Sequence, residues 1–142
     1  MAGKPRVSVI VAAYNRAEVL RHALRSVLSS DFTDFEVLVV GDGCTDHSCE
    51  VVSAFDDARL SFEDLGSNSG GQAAPNNHAL QKTRGDVIFF LNQDDLYLTS
   101  HISASLAFLQ NSDADLVWCP VVLIEQLLSA AGPADPARDR IS

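Results

Sequence analysis

Positive charge is scarce in this chain. Ten Lys and Arg stand against 19 Asp and Glu in 142 residues, a formal net charge of −9. A surface that holds a nucleic-acid backbone is basic, so no nucleic-acid partner is expected. A small anionic ligand remains admissible where a metal ion mediates the contact. Long apolar runs are missing too. The longest, around Val121-Val122-Leu123-Ile124, falls far short of the roughly 20 residues a membrane helix needs. A strand pattern begins almost at the N-terminus, so no secretory signal is expected. Cysteine is sparse. Cys44, Cys49 and Cys119 are odd in number and lack a framework spacing, which fits a reducing cytoplasm better than a disulfide scaffold. No nucleophile elbow, Walker loop or zinc-protease motif occurs. Gly41 and Gly43 lack the third glycine of a dinucleotide fingerprint and follow the second strand, not the first. Cys44, His47 and Cys49 match no zinc-finger spacing.

What is present is alternation. The length suffices for one domain with a real core. After a disordered lead over residues 1–5, Val7, Val9, Ile10 and Val11 predict a central strand over 6–13. Asn15 with Glu18 has the form of a capping box. Leu20, Leu24 and Leu28, with Val19, Ala23 and Val27 beside them, make one apolar helical face. A second buried strand spans 35–40. Thr45 is placed to cap a helix reaching Phe55. An edge strand over 59–65, a Ser/Asn/Gly loop over 66–71 and a helix over 72–82 follow. After Tyr97, Thr99 or Ser100 caps a helix carrying Ile102, Leu106 and Leu109. A strand over 115–124 bent at Pro120, a helical stub over 125–131 and a disordered tail over 132–142 complete the reading. The domain is thus 1–131, with its core over 6–124. Strand and helix in turn predict an α/β protein with a mainly parallel sheet and helices on both faces.

The chemistry concentrates in residues 86–97. Val87-Ile88-Phe89-Phe90-Leu91 has no polar alternation and fits a strand buried on both faces. Asn92-Gln93-Asp94-Asp95 follows, at the sheet's carboxyl edge, where open α/β sheets bind ligands. Adjacent carboxylates repel and raise at least one pKa unless a cation neutralises them. A hard divalent ion, Mg²⁺ or Mn²⁺, takes such oxygen ligands. Tyr14-Asn15-Arg16 and Gly41-Asp42-Gly43 end two other strands and belong to the same rim. Taken singly, an Asp after a strand is most often a turn former or cap; the three together point to a site. His22 and His101 read as exposed helix residues, and His78 as a surface residue near the glycine loop. Trp118 and Tyr97 read as core or rim packing.

These segments resemble family 2 glycosyltransferases, which have the GT-A, Rossmann-like fold. Val7-Ser8-Val9-Ile10-Val11-Ala12-Ala13-Tyr14-Asn15-Arg16 is similar to the family's opening strand. Leu38-Val39-Val40-Gly41-Asp42-Gly43-Cys44-Thr45-Asp46 is similar to its V-D-D-G-S-T-D motif, and Gly85 to Asp95 to its G-x-x-I-x-F-L-D-x-D-D pattern. Asn68-Ser69-Gly70-Gly71 and Asn77 fall at its N-x-G and R-N segments. The resemblance covers residues 6–120. It implies metal-dependent, inverting transfer of a sugar from a nucleoside diphosphate to an acceptor hydroxyl, the acceptor being a polysaccharide, lipid or protein glycan. By the same resemblance Ala12, Tyr14, Asp42, Asn77 and Asp94 bind the donor, and Asp95 with Asp94 holds the metal in a DXD-like motif. No catalytic residue is assigned, and the acceptor half is missing or minimal. Gly41, Asn76 and Asn92 stand where many members have Asp, Arg and Asp. The alternative is a non-catalytic nucleotide-binding or interaction module that keeps the fold.

Overall fold

The computed structural model describes residues 3–120. Strands and helices alternate as β1 (Val7–Ala13), α1 (Ala17–Leu28), β2 (Phe35–Gly41), α2 (Ser48–Ser53), β3 (Leu60–Asp64), α3 (Ala73–Leu80), β4 (Val87–Phe90) and α4 (His101–Gln110). The four strands form one parallel sheet in the order β3-β2-β1-β4. The α/β alternation predicted from sequence is therefore present.

Side-chain period explains the layers. Successive strand residues point to opposite faces. Val7, Val9, Val11 and Ala13 face one way and pack with Leu20, Ala23, Leu24 and Val27 of α1, Val52 of α2, and Ile102 and Leu106 of α4. Ile10 faces the other way and packs with Leu38, Val40 and Ala79 of α3. Helices thus cover both faces. The chain runs β1 to β2 to β3 in one direction, then α3 crosses the opposite face to deliver β4 on the far side of β1. That reversal leaves a crevice at the carboxyl ends of β1 and β4, the topological switch point of an open sheet.

Several local expectations change. α2 begins at Ser48 instead of near Thr45, because Asp46, not Thr45, receives its first amide. β4 is the outer strand of the described sheet and is not buried on both faces, because α3 packs over β1 and β2 on the side that Phe90 faces. Phe89 and the following Leu91 are buried, while Phe90 is 53% exposed. Residues 115–120 form no strand. The alternation is there, with Val117 and Cys119 half-buried and Leu116 and Trp118 more than 80% exposed, but among the described residues no strand pairs with it. Trp118 is accordingly not core. His101 is half-buried, not exposed, and its ring lies 4.1 Å from that of Tyr97. Burial pushes its pKa down. The lead is held from residue 4 on: Lys4 pairs with Asp86 and Pro5 is buried. The expectations for 121–142 lie outside the described residues.

At the amino edge of the sheet a polar group is buried and fully partnered. Glu36 accepts from Ser8 Oγ (2.6 Å), from the Arg84 amide (2.8 Å) and from Arg84 Nε (2.8 Å). Ser8 Oγ in turn accepts from the Gly85 amide at 2.8 Å. Gly85 is required there, since a Cβ would lie 2.5 Å from the Ser8 nitrogen. This knot sets the register of β4 against β1. Burial alone would raise the Glu36 pKa; the bonds from Ser8 and Arg84 outweigh it and hold the carboxyl below its ordinary 4.5. A depressed folded pKa means the stabilisation is complete above the unfolded value and is lost as pH falls through the folded one. Glu36→Ala is expected to cost about 2 kcal/mol in urea unfolding at pH 7. The difference from wild type should shrink below pH 4.5; a pH-independent difference would contradict the assignment.

Candidate nucleotide-sugar site

The rim is built where β1 stops. The Asp42 amide donates to Ala13 O at 2.8 Å, which carries the β1–β2 pairing one residue past the strand ends. On the other side Gln93 clasps the Tyr14 peptide. Its Oε1 accepts from the Tyr14 amide at 3.0 Å, and its Nε2 donates to Tyr14 O at 3.4 Å. The chain then turns sharply through Asn15 (φ 53) and Arg16 (φ 58). Two consecutive side-chain-bearing residues in the left-handed region cost free energy and persist only where their surroundings over-determine them. Here the braces are visible. Asn15 Oδ1 accepts from the Thr45 amide at 2.9 Å, Asp46 Oδ2 from the Ala17 amide at 2.8 Å, and Arg16 Nη1 reaches Asp94 Oδ2 at 3.5 Å. The turn leaves Tyr14 46% exposed on the rim.

Asn15 is therefore not the N-cap of α1, and the predicted capping box does not form. Asn15 supports the neighbouring turn instead. Glu18 bonds Arg21 and His47, which hold its pKa down to about 2. The capping is done from a distance by Asp46. One oxygen takes the first amide of α1 and the other takes the Ser48 amide (3.1 Å) and hydroxyl at the start of α2. Burial would raise the Asp46 pKa; these bonds from Ser48 and Ala17 outweigh it and lower the pKa.

Asp42 is 3% exposed and binds a loop. Its carboxylate accepts from the Ser69 amide at 3.0 Å and from Asn68 Nδ2 at 3.2 Å. Its carbonyl also accepts from Asn68 Nδ2 at 3.2 Å. The loop crosses directly over Gly43 (φ 74), where a Cβ would lie 2.5 Å from the Asn68 nitrogen. The acidic pair sits across β1 from this clamp. Asp94 is turned toward Arg16, and Asp95 Oδ2 accepts from Asn92 Nδ2 at 2.6 Å.

Of the residues predicted for the site, Ala12, Tyr14, Asp42, Asp94 and Asp95 therefore lie along one edge, linked by hydrogen bonds through Ala13, Arg16, Asn92 and Gln93. Asn77 is exposed on α3, and no described hydrogen bond ties it to the others. Sequence reasoning missed Gln93 and Asp46. An Asp two residues before a helical Ser is a known local turn signal; a glutamine between Asn and Asp carries none. His78 bonds Glu63 at 2.7 Å, not the glycine loop. Among the described residues no three His, Cys, Asp or Glu side chains are grouped to hold a metal by themselves. Two adjacent carboxylates at an exposed rim do fit an ion that draws its remaining ligands from a diphosphate and water, as Mg²⁺ commonly does. Burial pushes the Cys44 thiol pKa up, and the nearby Asp64 and Asp46 charges add to this. Two shallow grooves flank β3, away from the rim. The charged groups lining the groove on the α3 side are paired off: Arg84 with Glu36, Lys82 with Glu63, and Arg59 with Asp57.

A parallel sheet with this reversal is a doubly wound α/β domain, and its structural neighbours are GT-A glycosyltransferases. The chain belongs to Glycosyl transferase family 2, whose family model matches residues 8–136. It is 32% identical over 115 residues to the poly(ribitol-phosphate) β-N-acetylglucosaminyltransferase TarS of Staphylococcus aureus, covering 79% of this chain and 20% of TarS. It is 29% identical over 124 residues to an uncharacterized glycosyltransferase of Rickettsia typhi, covering 86% of this chain and 38% of that one. Among solved structures, TarS 1-349 in complex with UDP-GlcNAc superposes with a TM-score of 0.74 at 32% identity, over 78% of this chain and 32% of that one. A mannosyltransferase from Pyrobaculum calidifontis in complex with GDP-Man and Mn²⁺ gives 0.67 at 25% identity, over 75% of this chain and 33% of that one. The chain thus spans 20% of TarS and 38% of the rickettsial relative.

Asp46→Ala strips an acceptor from the first turns of two helices at once. It is expected to cost about 2 kcal/mol in urea unfolding. Asp46→Asn, which keeps one carbonyl oxygen, should lose less. Equal losses in the two variants would contradict the double cap.

Proposed function

We propose that this chain is the donor-binding portion of a family 2 glycosyltransferase. The reaction is transfer of a sugar from a nucleoside diphosphate to an acceptor hydroxyl. It proceeds by direct displacement, which inverts the anomeric centre. The observation that carries this reading is the meeting of Tyr14, Asp42 and the Asp94–Asp95 pair on one rim at the switch point of the sheet. The UDP-GlcNAc and GDP-Man complexes of the structural neighbours support a nucleoside-diphosphate sugar as the ligand class.

The roles are those the family resemblance implies for these positions. Tyr14, exposed on the rim, flanks the base beside Ala12 with an apolar ring face. Asp42 builds the wall of the nucleoside pocket and accepts a hydrogen bond from the base or, through Asn68 and Ser69, shapes the loop against it. Asn77, exposed on α3, is assigned to the donor by the family resemblance alone. Asp94 takes the ribose and shares the ion with Asp95, and Mg²⁺ or Mn²⁺ is the ion this oxygen set suits. When bound, such an ion stabilises the negative charge that gathers on the departing diphosphate. Arg16, 3.5 Å from Asp94, adds a fixed positive charge on the same edge. The three free thiols support a reducing compartment, and we assign the cytoplasm on that ground.

Calorimetric titration with UDP and GDP, with and without Mn²⁺, tests this. One of the two nucleotides should bind, and binding should strengthen with the metal. Asp95→Ala should abolish the metal's contribution, about tenfold or more in Kd. Asp42→Ala should weaken uridine or guanosine to a similar degree whether or not metal is present. Metal-independent binding that survives Asp95→Ala would favour the non-catalytic nucleotide-binding module instead.

A further inference from the structure

Gly41 closes β2 with an ordinary strand backbone, since its φ is not among the positive ones. Its own conformation does not demand glycine. What excludes a side chain is a neighbour. Asp64, its cross-strand partner on β3, has Oδ2 only 2.2 Å from where a Cβ on residue 41 would stand. That separation is close to the one between an aspartate's own Cβ and its carboxylate oxygens. The Asp64 Oδ2 therefore stands inside the space a side chain on residue 41 would need, at the reach of a carboxylate oxygen carried there, with its own Cγ 3.1 Å from that Cβ.

The carboxylate is in use. Its Oδ2 accepts from the Cys44 amide at 2.8 Å, and its Oδ1 from the Gly66 amide at 2.7 Å. The first bond fixes the turn that carries Asp42. The second fixes the start of the loop whose Asn68 and Ser69 hold the Asp42 carboxylate. One side chain on the edge strand thus ties together both segments that meet at Asp42. The alternating network is closed: Asp64 to the turn, the turn to Asp42, Asp42 to the loop, and the loop back to Asp64.

We propose that Asp64 is a positioning residue for the nucleoside pocket. It acts by delivering across the strands, into the space left by Gly41, the carboxylate that locks the 42–44 turn to the 66–69 loop. This rests on the donor-binding reading for its ligand, but the lock itself is independent of any ligand. Residues 41 and 64 are then a coupled pair: the site takes one carboxylate, from either strand, but not two and not none.

The test combines amide hydrogen exchange without ligand and nucleotide titration by calorimetry, on four proteins: wild type, Asp64→Ala, Gly41→Asp, and Gly41→Asp/Asp64→Ala. Circular dichroism confirms that each is folded. Asp64→Ala should speed exchange at the Ser69 amide, which Asp64 does not touch, at least tenfold, with core amides such as Leu24 unchanged. Gly41→Asp alone should speed it as well, by crowding two carboxylates together. The double variant should restore wild-type exchange, and affinity for whichever of UDP or GDP the wild type binds should follow the same pattern. Unchanged Ser69 exchange in Asp64→Ala, or a double variant no better than the singles, overturns the proposal. So does a loosened loop with full nucleotide affinity. If the wild type binds neither nucleotide, the donor-binding reading falls, and restored exchange in the double variant still supports the lock.

Discussion

The strand order β3-β2-β1-β4 is the constraint on which the site depends. A parallel sheet that grows first to one side of β1 and then to the other must send its connections over opposite faces. The loops leaving β1 and β4 therefore diverge, and no helix can fill the space between their carboxyl ends. Everything with chemical interest borders that space. Tyr14, the Asp42 turn, the 66–69 loop and the acidic pair come from four different connections, and only the sheet makes them neighbours.

The connections are short and polar, so they need bracing to hold a shape. Each brace is a side chain reaching into another connection's backbone: Gln93 to Tyr14, Asn15 to Thr45, Asp46 to Ala17, Asp42 to Ser69 and Asp64 to Cys44. Five side chains thus satisfy amides that the strand ends and helix starts leave unpaired. The consequence is a rim that is rigid in the backbone, while Tyr14, Asp94 and Asp95 remain exposed. Preorganised backbone with exposed side-chain tips is what an edge needs to hold a flexible, anionic ligand without ordering itself first. The chain's net charge of −9 opposes such a ligand at long range. Local positive charge, from Arg16 and from the proposed ion beside Asp95, has to outweigh it.

The sheet was legible because burial imposes a pattern. β1 and β2 are almost entirely inaccessible, and their unbroken β-branched runs say so. The α1 stripe was legible for the same reason. The braces were not, because a hydrogen bond between distant loops leaves no periodic trace. Asn15 and Glu18 have a capping-box spacing, yet the left-handed turn at Asn15 and Arg16 sends both elsewhere. Leu116 and Trp118 alternate like a strand but face outward, since alternation specifies a strand only where a partner pairs with it. Among site residues, the strand-end positions were foreseeable from the rim rule. Gln93 was not, because its partner lies far away in sequence, and for Asp46 and Asp64 only the local half was, the bonds to Ser48 and Gly66; the bonds to Ala17 and Cys44 reach across the chain.

The most direct test of the account is an amide chemical-shift map of the chain titrated with UDP or GDP and Mg²⁺. The account predicts that the shifts concentrate at residues 12–16, 41–46, 67–70 and 92–96, four separated segments forming one contiguous edge. Shifts clustered instead around Arg59, Ser61 and Lys82, in the groove beside β3, would place the ligand on another face and contradict it.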